Sequence, residues 1–167
     1  MKYLKLFFIV VAAALLSCGN REKQSNTVIS KTFIDEQWGR FDYLVSSFNV
    51  VEPGYKCDLV LDMTVTDDFP NRYRHSDDDY FEVNMTITAP DGSKRSRNYR
   101  FRLRDDDGIW KSAKIGDVYP FELPLISDFV FSEKGEYIFK VENKYTRDPL
   151  QGIRTLTINT VKAGSAN

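Results

Sequence analysis

The sequence has little of what most catalytic sites need. Its 167 residues contain one histidine, His75, and two cysteines, Cys18 and Cys57. A nucleophilic serine or cysteine needs a neighbouring base, and the sequence offers no histidine pairing for either. A glycine-rich phosphate loop is also absent, and nothing singles out two of the many acids as a glycosidase pair. We therefore expect a protein that is not an enzyme, with no catalytic residues.

Excess charge and long apolar runs are lacking as well. The formal net charge is −1, which gives no support for nucleic-acid binding. The longest apolar run, residues 6–16, follows Lys2 and Lys5. A helix of that length covers only about half of a ~30 Å hydrocarbon core, so it cannot span a bilayer. Its length and its basic start are typical of a secretory signal.

The residues after the apolar run predict attachment to a lipid. Leu15-Leu16-Ser17-Cys18 resembles a bacterial lipobox, in which the signal is cut before a cysteine that carries diacylglycerol and a further acyl chain, such as palmitate. We predict a signal peptide of residues 1–17, lipidation at Cys18 and no other cofactor. Each buried CH2 of an acyl chain contributes about 0.8 kcal/mol to membrane binding, so several chains form a firm anchor.

Lipidation of Cys18 would leave Cys57 without an intramolecular partner. Cys57 lies on the apolar face of an alternating stretch, which predicts a small buried side chain. Residues 18–27 are otherwise polar and predict a flexible tether. The mature chain then has a net charge of −3, because the signal contains two lysines and no acids. The rest predicts one domain, residues 28–163, and a disordered tail, residues 164–167.

Alternation of apolar and polar residues dominates this domain and predicts β-strands. The clear candidates are residues 56–66, 80–89, 96–104, 136–143 and 155–161; the weaker ones are residues 28–34, 43–50 and 128–131. Turns rich in Gly, Pro and Asp separate them, and no long segment repeats with a helical period. We predict an all-β fold, an antiparallel β-sandwich of about eight strands, either immunoglobulin-like or jelly-roll-like.

Residues 109–127 show neither period. Pro120 and Pro124 exclude this stretch from a central strand, so we predict a long connection. Long loops in compact domains tend to be functional, and this one is too aromatic for disorder. The candidates for a ligand-binding or partner-binding surface are Trp110, Tyr119 and Phe121. The alternative is that these rings pack over the end of the sandwich.

Two charged groups offer further candidate sites. Arg100, Arg102 and Arg104 would follow one face of a strand at about 6.8 Å spacing, as a strip for anions or glycans. Alternatively, they face solvent or pair across strands with acids such as Glu82, Asp58 or Asp62. The acidic residues 77–79 and 105–107 suggest calcium, but Leu103 occupies a position where an EF-hand needs an acid. We therefore expect solvated turns and no metal site.

Several motifs occur in a recognisable order. After the lipobox come Trp38 with Asp42, P-D-G at residues 90–92, D-x-x-G-x-W at 105–110, G-D at 116–117, F-S-E-K-G-E-Y at 131–137 and P-L-Q-G-I at 149–153. In this order they resemble the GldH family of gliding-motility lipoproteins from Bacteroidota, over roughly residues 32–161. The resemblance implies an envelope lipoprotein that serves a gliding machinery linked to type IX secretion. It implies no catalytic residue.

Two functions follow as expectations. The first is a lipid-anchored accessory or scaffold protein that contacts other envelope proteins. The alternative is a lipoprotein that binds a small ligand or carbohydrate through the aromatic residues 109–127. Some Bacteroidota surface lipoproteins carry several acids directly after the cysteine, whereas residues 19–23 contain only Glu22. We therefore expect an outer-membrane protein that faces the periplasm.

Overall fold

The computed structural model describes residues 25–70 and 80–162. These ranges leave out the predicted signal peptide, the predicted lipidation site Cys18 and the predicted tether up to residue 24. They also leave out His75, the acidic residues 77–79 and the predicted tail at residues 164–167. Within the described part, no helix is long and apolar enough to cross a membrane.

Ten strands lie within residues 25–70 and 80–162. They are β1 (Ser25–Thr32), β2 (Gln37–Trp38), β3 (Leu44–Val50), β4 (Tyr55–Val65), β5 (Tyr80–Thr88), β6 (Lys94–Arg102), β7 (Tyr119–Phe131), β8 (Gly135–Asn143), β9 (Leu150–Gln151) and β10 (Ile153–Lys162). The first sheet has the order β1-β10-β4-β7 and the second sheet β3-β8-β5-β6, while β2 pairs with β9. All pairs are antiparallel, which confirms the predicted antiparallel β-sandwich.

The pairing of the eight long strands is nested. β1 pairs with β10, β3 with β8, β4 with β7, and β5 with β6. A chain that forms one long hairpin and then rolls into two sheets has this nesting, which is the jelly-roll topology. Of the two arrangements that the strand pattern allowed, the structure therefore adopts the jelly roll.

The core lies between the two sheets. Every second residue of β4 is buried, and Cys57 is 0 % exposed, which confirms its predicted burial. Phe131 of β7 lies at the centre of an aromatic group, with its ring centroid 4.9 Å from that of Tyr137 and 5.2 Å from that of Phe48. Such packed rings contribute beyond the apolar area that they bury.

The prediction of a connection over residues 109–127 is wrong for its second half. β7 begins at Tyr119 and includes Pro120 and Pro124. β7 is an edge strand, so its prolines cost no hydrogen bond to a further strand. The prediction that Pro120 and Pro124 do not lie in a central strand is therefore correct. Two register shifts against β4 break the alternation along β7, which hides its period in the sequence.

The predicted tether also extends too far. Residues 25–27 belong to β1, where Ser25 lies opposite Val161 and the Thr27 hydroxyl donates to Asn159 Oδ1 at 2.9 Å. These residues are polar because this part of the edge strand is exposed, so no apolar alternation marks them. The short strands β2 and β9 give no period at all, since each has two residues.

The sandwich has two ends. The proximal end contains Ser25, Lys162 and the turns at residues 51–54, 89–93 and 132–134. The distal end contains residues 33–43, 66–69, 103–118 and 144–152. β3 runs from the distal end to the proximal end, and β1 runs the opposite way.

Candidate functional site at the distal end

The predicted aromatic residues meet at the distal end. The Trp110 ring centroid lies 4.4 Å from that of Tyr119, and both rings are half-buried. Phe121 and Phe69 follow at 6.1 Å and 6.3 Å from Trp110. Partly buried rings of this group pack against the core, so they close the end of the sandwich.

A tight turn at residues 105–108 brings Trp110 into this group. Asp105 Oδ1 accepts hydrogen bonds from the backbone N–H groups of Asp107 and Ile109, at 3.0 Å and 2.9 Å. Gly108 adopts φ 81°, which favours glycine, and Trp110 then forms a bridge with Arg104. The motif D-x-x-G-x-W thus encodes a turn whose acid binds backbone rather than metal.

Arg104 covers one face of the indole. Its Cζ atom lies 3.7 Å from the Trp110 ring centroid, within the range of a cation–π contact. Tyr119 stacks on the same ring, and two groups so close to one centroid would overlap unless they occupied opposite faces. A sugar ring binds to an aromatic residue by stacking on an open face. Because both faces of Trp110 are taken, this ring is not available for such a ligand.

Charged groups surround the outer side of Tyr119. The Tyr119 hydroxyl donates to Asp67 Oδ1 at 3.0 Å, and Lys114 forms an ion pair with the same carboxylate. The hydrogen bond from Lys114, followed by that from Tyr119, lowers the pKa of Asp67. These contacts are exposed, so they orient the loop more than they stabilise the fold.

The predicted arginine row is divided in the structure. Arg100 and Arg102 lie against the Tyr80 ring, with Cζ atoms 4.4 Å and 5.3 Å from its centroid. Arg100 also pairs with Glu82 at 3.4 Å, and Arg102 pairs with Asp106. Arg104 turns away to Trp110.

The other two predicted acidic partners lie elsewhere. Asp58 and Asp62 are in β4 of the first sheet, where they accept hydrogen bonds from the Asp128 N–H group and Asn159 Nδ2. In residues 25–70 and 80–162, no three potential metal ligands of the His, Cys, Asp and Glu types come together.

Sequence reasoning missed a charged tie across the distal end. Arg154 Nε and Nη2 donate to Glu36 Oε1 at 3.0 Å and 2.6 Å, and Nη1 donates to Asp117 Oδ2 at 2.8 Å. Glu36 adopts φ 52°, a backbone conformation that costs a non-glycine residue about 1–2 kcal/mol. No local sequence signal marks this tie, apart from Gly116-Asp117 within the motif order.

The tied segments expose large apolar side chains. Ile34, two residues before Glu36, is 94 % exposed, and Ile115, two residues before Asp117, is 66 % exposed. Phe41 and Ile109 of the same end are 75 % and 64 % exposed. Single exposed apolar residues are common on proteins, but here four occur at one end and two flank the Arg154 tie. The geometry suits contact with another protein.

The remaining motif residues serve the fold. Trp38 is 0 % exposed and donates from Nε1 to the Asp42 carbonyl at 2.7 Å. Gly152 adopts φ 69°, and a Cβ atom there would lie 2.1 Å from the Phe69 backbone nitrogen. The motif order therefore records turns and close backbone approaches rather than a reacting group.

Comparison with known proteins gives one clear match. A family model described as GldH lipoprotein matches residues 29–159. No curated protein has a matching sequence. Among solved structures, the chain is similar to the crystal structure of an aminopeptidase from the marine sediment archaeon Thaumarchaeota archaeon, with 13 % identity and a TM-score of 0.36. That match covers 74 % of this chain and 24 % of the aminopeptidase chain, so the chain spans about a quarter of that protein.

Proposed function

Because the chain belongs to the GldH lipoprotein family, we propose that it is a lipid-anchored accessory or scaffold protein in a gliding or type IX secretion-associated complex. A lipoprotein of this family resides at the cell envelope and is associated with a membrane. The proposed role is non-enzymatic: the domain holds other envelope proteins and turns over no substrate. The periplasmic face of the outer membrane is the location that we propose.

Attachment at Cys18 would orient the domain. Seven residue steps separate Cys18 from Ser25, and an extended chain spans at most about 3.5 Å per residue. The proximal end therefore stays within about 25 Å of the anchoring cysteine. The distal end, with the Arg154 tie and the exposed isoleucines, then points away from the bilayer towards other proteins.

The observation that carries this proposal is the closed, tied distal end. Both faces of Trp110 are covered by Arg104 and Tyr119, which leaves no open face of this ring for a stacked ligand. The exposed Ile34 and Ile115 lie beside residues that Arg154 holds in place. A segment whose backbone is already fixed loses less conformational entropy when it binds, which favours a protein interface.

The test compares apolar-to-charged substitutions at the two ends. Ile115→Asp and Ile34→Asp should abolish or strongly reduce gliding or type IX secretion when they replace the native gene. Val51→Asp is the matched control, because Val51 is also 66 % exposed but lies at the proximal end. Immunoblots must show equal protein levels. Wild-type function of the double variant Ile34→Asp/Ile115→Asp would refute the proposed distal interface.

Membrane attachment is tested separately. Labelled palmitate should be incorporated into the wild-type protein and not into Cys18→Ala, which should also leave the membrane fraction. Protease treatment of intact cells should leave the domain uncut if it faces the periplasm. Digestion of the domain in intact cells would place it on the cell surface instead.

A further inference from the structure

The two sheets have four edge strands, and three of them carry features that discourage pairing with another chain. An open edge presents unpaired N–H and C=O groups, which proteins usually protect with prolines, charges or bulges. β7 contains Pro120 and Pro124, and its pairing with β4 shifts register twice. β1 has a register shift after Thr27 and carries Lys31. β6 has five basic residues among its nine.

The fourth edge, β3, has none of these features. Its sequence, L-V-S-S-F-N-V, contains no charge and no proline, and its pairing with β8 is continuous over all seven residues. β3 lies at the end of the second sheet, so no strand pairs with one side of its backbone. Among the described residues, no backbone hydrogen bond from another segment closes that side of residues 44–50.

Apolar side chains on and beside β3 are incompletely buried. On the outer face, Val45 is 61 % exposed and Ile138 of the neighbouring β8 is 42 % exposed. On the inner face, Phe48 packs on Phe131 but is only partly buried, although Phe131 itself is 0 % exposed. One more strand beside β3 would cover apolar side chains on both faces of the sheet.

One charged pair near β3 is already engaged. Lys140 lies opposite Val45, where it pairs with Glu142 and lies 4.0 Å from the Tyr43 ring centroid. The hydrogen bond from Lys140 lowers the pKa of Glu142, so this carboxylate stays ionised with its partner. Around Val45, the surface beside β3 therefore presents backbone groups and apolar side chains, whereas the exposed Glu136 lies opposite Asn49 near the proximal end.

We propose that β3 is the acceptor edge for an extended segment of a partner protein, which adds a fifth strand to the second sheet. Backbone hydrogen bonds supply affinity in this mode, and pockets for alternate side chains supply specificity. The partner segment has apolar residues at alternate positions and no acidic residue beside Glu136, because like charges on neighbouring strands repel. One set packs beside Phe48, and the other covers Val45.

A second copy of this chain does not fit the edge in the membrane. Self-pairing through one edge is antiparallel, so it needs two β3 strands that run in opposite directions. In two copies that stand upright on one bilayer, as the proposed function has them, each β3 runs towards the bilayer. Antiparallel pairing would require one copy to be inverted, with its Ser25 at the end that faces away from the bilayer. The eleven residues of β4 give the sandwich a length of about 37 Å. Ser25 of the inverted copy would therefore lie farther from the bilayer than the ~25 Å tether can reach. This choice of partner rests on the proposed anchoring at Cys18.

The test maps the partner by site-specific photocrosslinking in native cells. Full-length protein carries p-benzoylphenylalanine at residue 45, 47 or 49, or at the exposed control Ser96 on β6. Strand addition predicts crosslinks from residues 45, 47 and 49 to one partner segment, at positions that step by two residues in a fixed direction. Ser47→Lys should reduce crosslinking from residue 45 at least tenfold, while Ser96→Lys leaves it unchanged.

Three outcomes would overturn the proposal. These are crosslinks to another copy of this chain, crosslinks without the two-residue step, and equal crosslinking from Ser96. Thermal melting of the Ser47→Lys and Ser96→Lys proteins must agree, which separates loss of binding from loss of folding. Failure of the Ile34 and Ile115 variants to affect motility, with the β3 crosslinks intact, would refute the distal interface alone. Loss of palmitate labelling would refute the anchor alone.

Discussion

Arg154 holds Glu36 with two hydrogen bonds to a single carboxylate oxygen, 3.0 Å from Nε and 2.6 Å from Nη2. The third guanidinium nitrogen donates to Asp117 at 2.8 Å. Glu36 in turn accepts from the Thr66 hydroxyl, at 3.1 Å, and its carbonyl accepts from the Ile153 N–H group. One planar side chain therefore fixes two segments of the distal end that no strand pairing connects.

Replacing Arg154 with lysine should loosen these segments. A lysine cannot reproduce the planar arrangement of donors, so it can retain one carboxylate but not both. We expect faster amide hydrogen exchange at residues 33–36 and 115–118, with little change in global unfolding because the pair is partly exposed. Arg102→Lys, which alters the ion pair with Asp106, is the control. Unchanged exchange in both segments would show that the tie does not hold them.

Gly152→Ala should be strongly destabilising. The new methyl group would meet the Phe69 backbone at 2.1 Å, and φ 69° is itself strained for alanine. Strain and backbone displacement together should lower the free energy of unfolding by roughly 3 kcal/mol or more in urea titrations. Gly54→Ala is the matched control: its φ is 83°, nothing lies near the new atom, and the expected loss is about 1–2 kcal/mol. Equal decreases in the free energy of unfolding for Gly152→Ala and Gly54→Ala would contradict the clash.

Trp38 should contribute more to stability than Trp110. Trp38 is 0 % exposed and packs on Phe33, with ring centroids 5.6 Å apart. Trp38→Ala should lower the free energy of unfolding by about 3–5 kcal/mol, as large core truncations do. Trp110→Ala should cost clearly less, because that ring is half-exposed and Arg104 and Tyr119 can close over the space. Urea titrations of both variants decide the order.

Cys57 should be unreactive in the native protein. Burial, followed by repulsion from Asp58, raises the pKa of its thiol to about 11. In the lipidated protein a thiol reagent at pH 8 should therefore modify no cysteine before unfolding and one after it. A reactive thiol in the native protein would mean that Cys57 is accessible or that Cys18 lacks its lipid.

The same thiol predicts a pH dependence of stability. Between pH 9, the ordinary pKa, and pH 11, the unfolded chain loses the thiol proton while the folded protein keeps it. The unfolded state then binds fewer protons, so stability falls as pH rises through this window. Cys57→Ala lacks this loss. The free energy of unfolding of the wild type, relative to that of the variant, should therefore fall by about 2–3 kcal/mol between pH 8 and pH 11. A constant difference from pH 8 to 11 would contradict the raised pKa.

The sequence predicted the sandwich because most strands bury one face. β4 and β5 alternate without interruption, so their bounds differ from the predicted ones by one residue at most at each end. β7 was missed because its register shifts and prolines belong to an edge, and whether a strand is an edge depends on distant partners. The jelly-roll order could not be derived for the same reason: alternation shows which face is buried but not which strand lies beside it.

The sequence predicted the aromatic part of the candidate site but not the charged contacts of Arg154. Trp110, Tyr119 and Phe121 do come together, and Arg104 joins them, whereas Arg100 and Arg102 stack on Tyr80. Glu36, Asp117 and Arg154 are ordinary surface residues in the sequence. Their contact depends on the fold, which brings two loops and the start of β10 together at one end, and no sequence spacing records it.

The pairing of the first strand with the last has a mechanical consequence. A force applied to the chain just before Ser25 acts along β1, whose residues 25–32 are held by β10 from Val161 to Thr155. Because the pull is parallel to the strand, these hydrogen bonds bear the load together in shear, rather than opening one at a time as in a zipper. The proposed attachment through Cys18 would therefore load the domain in the direction in which its first strand resists best.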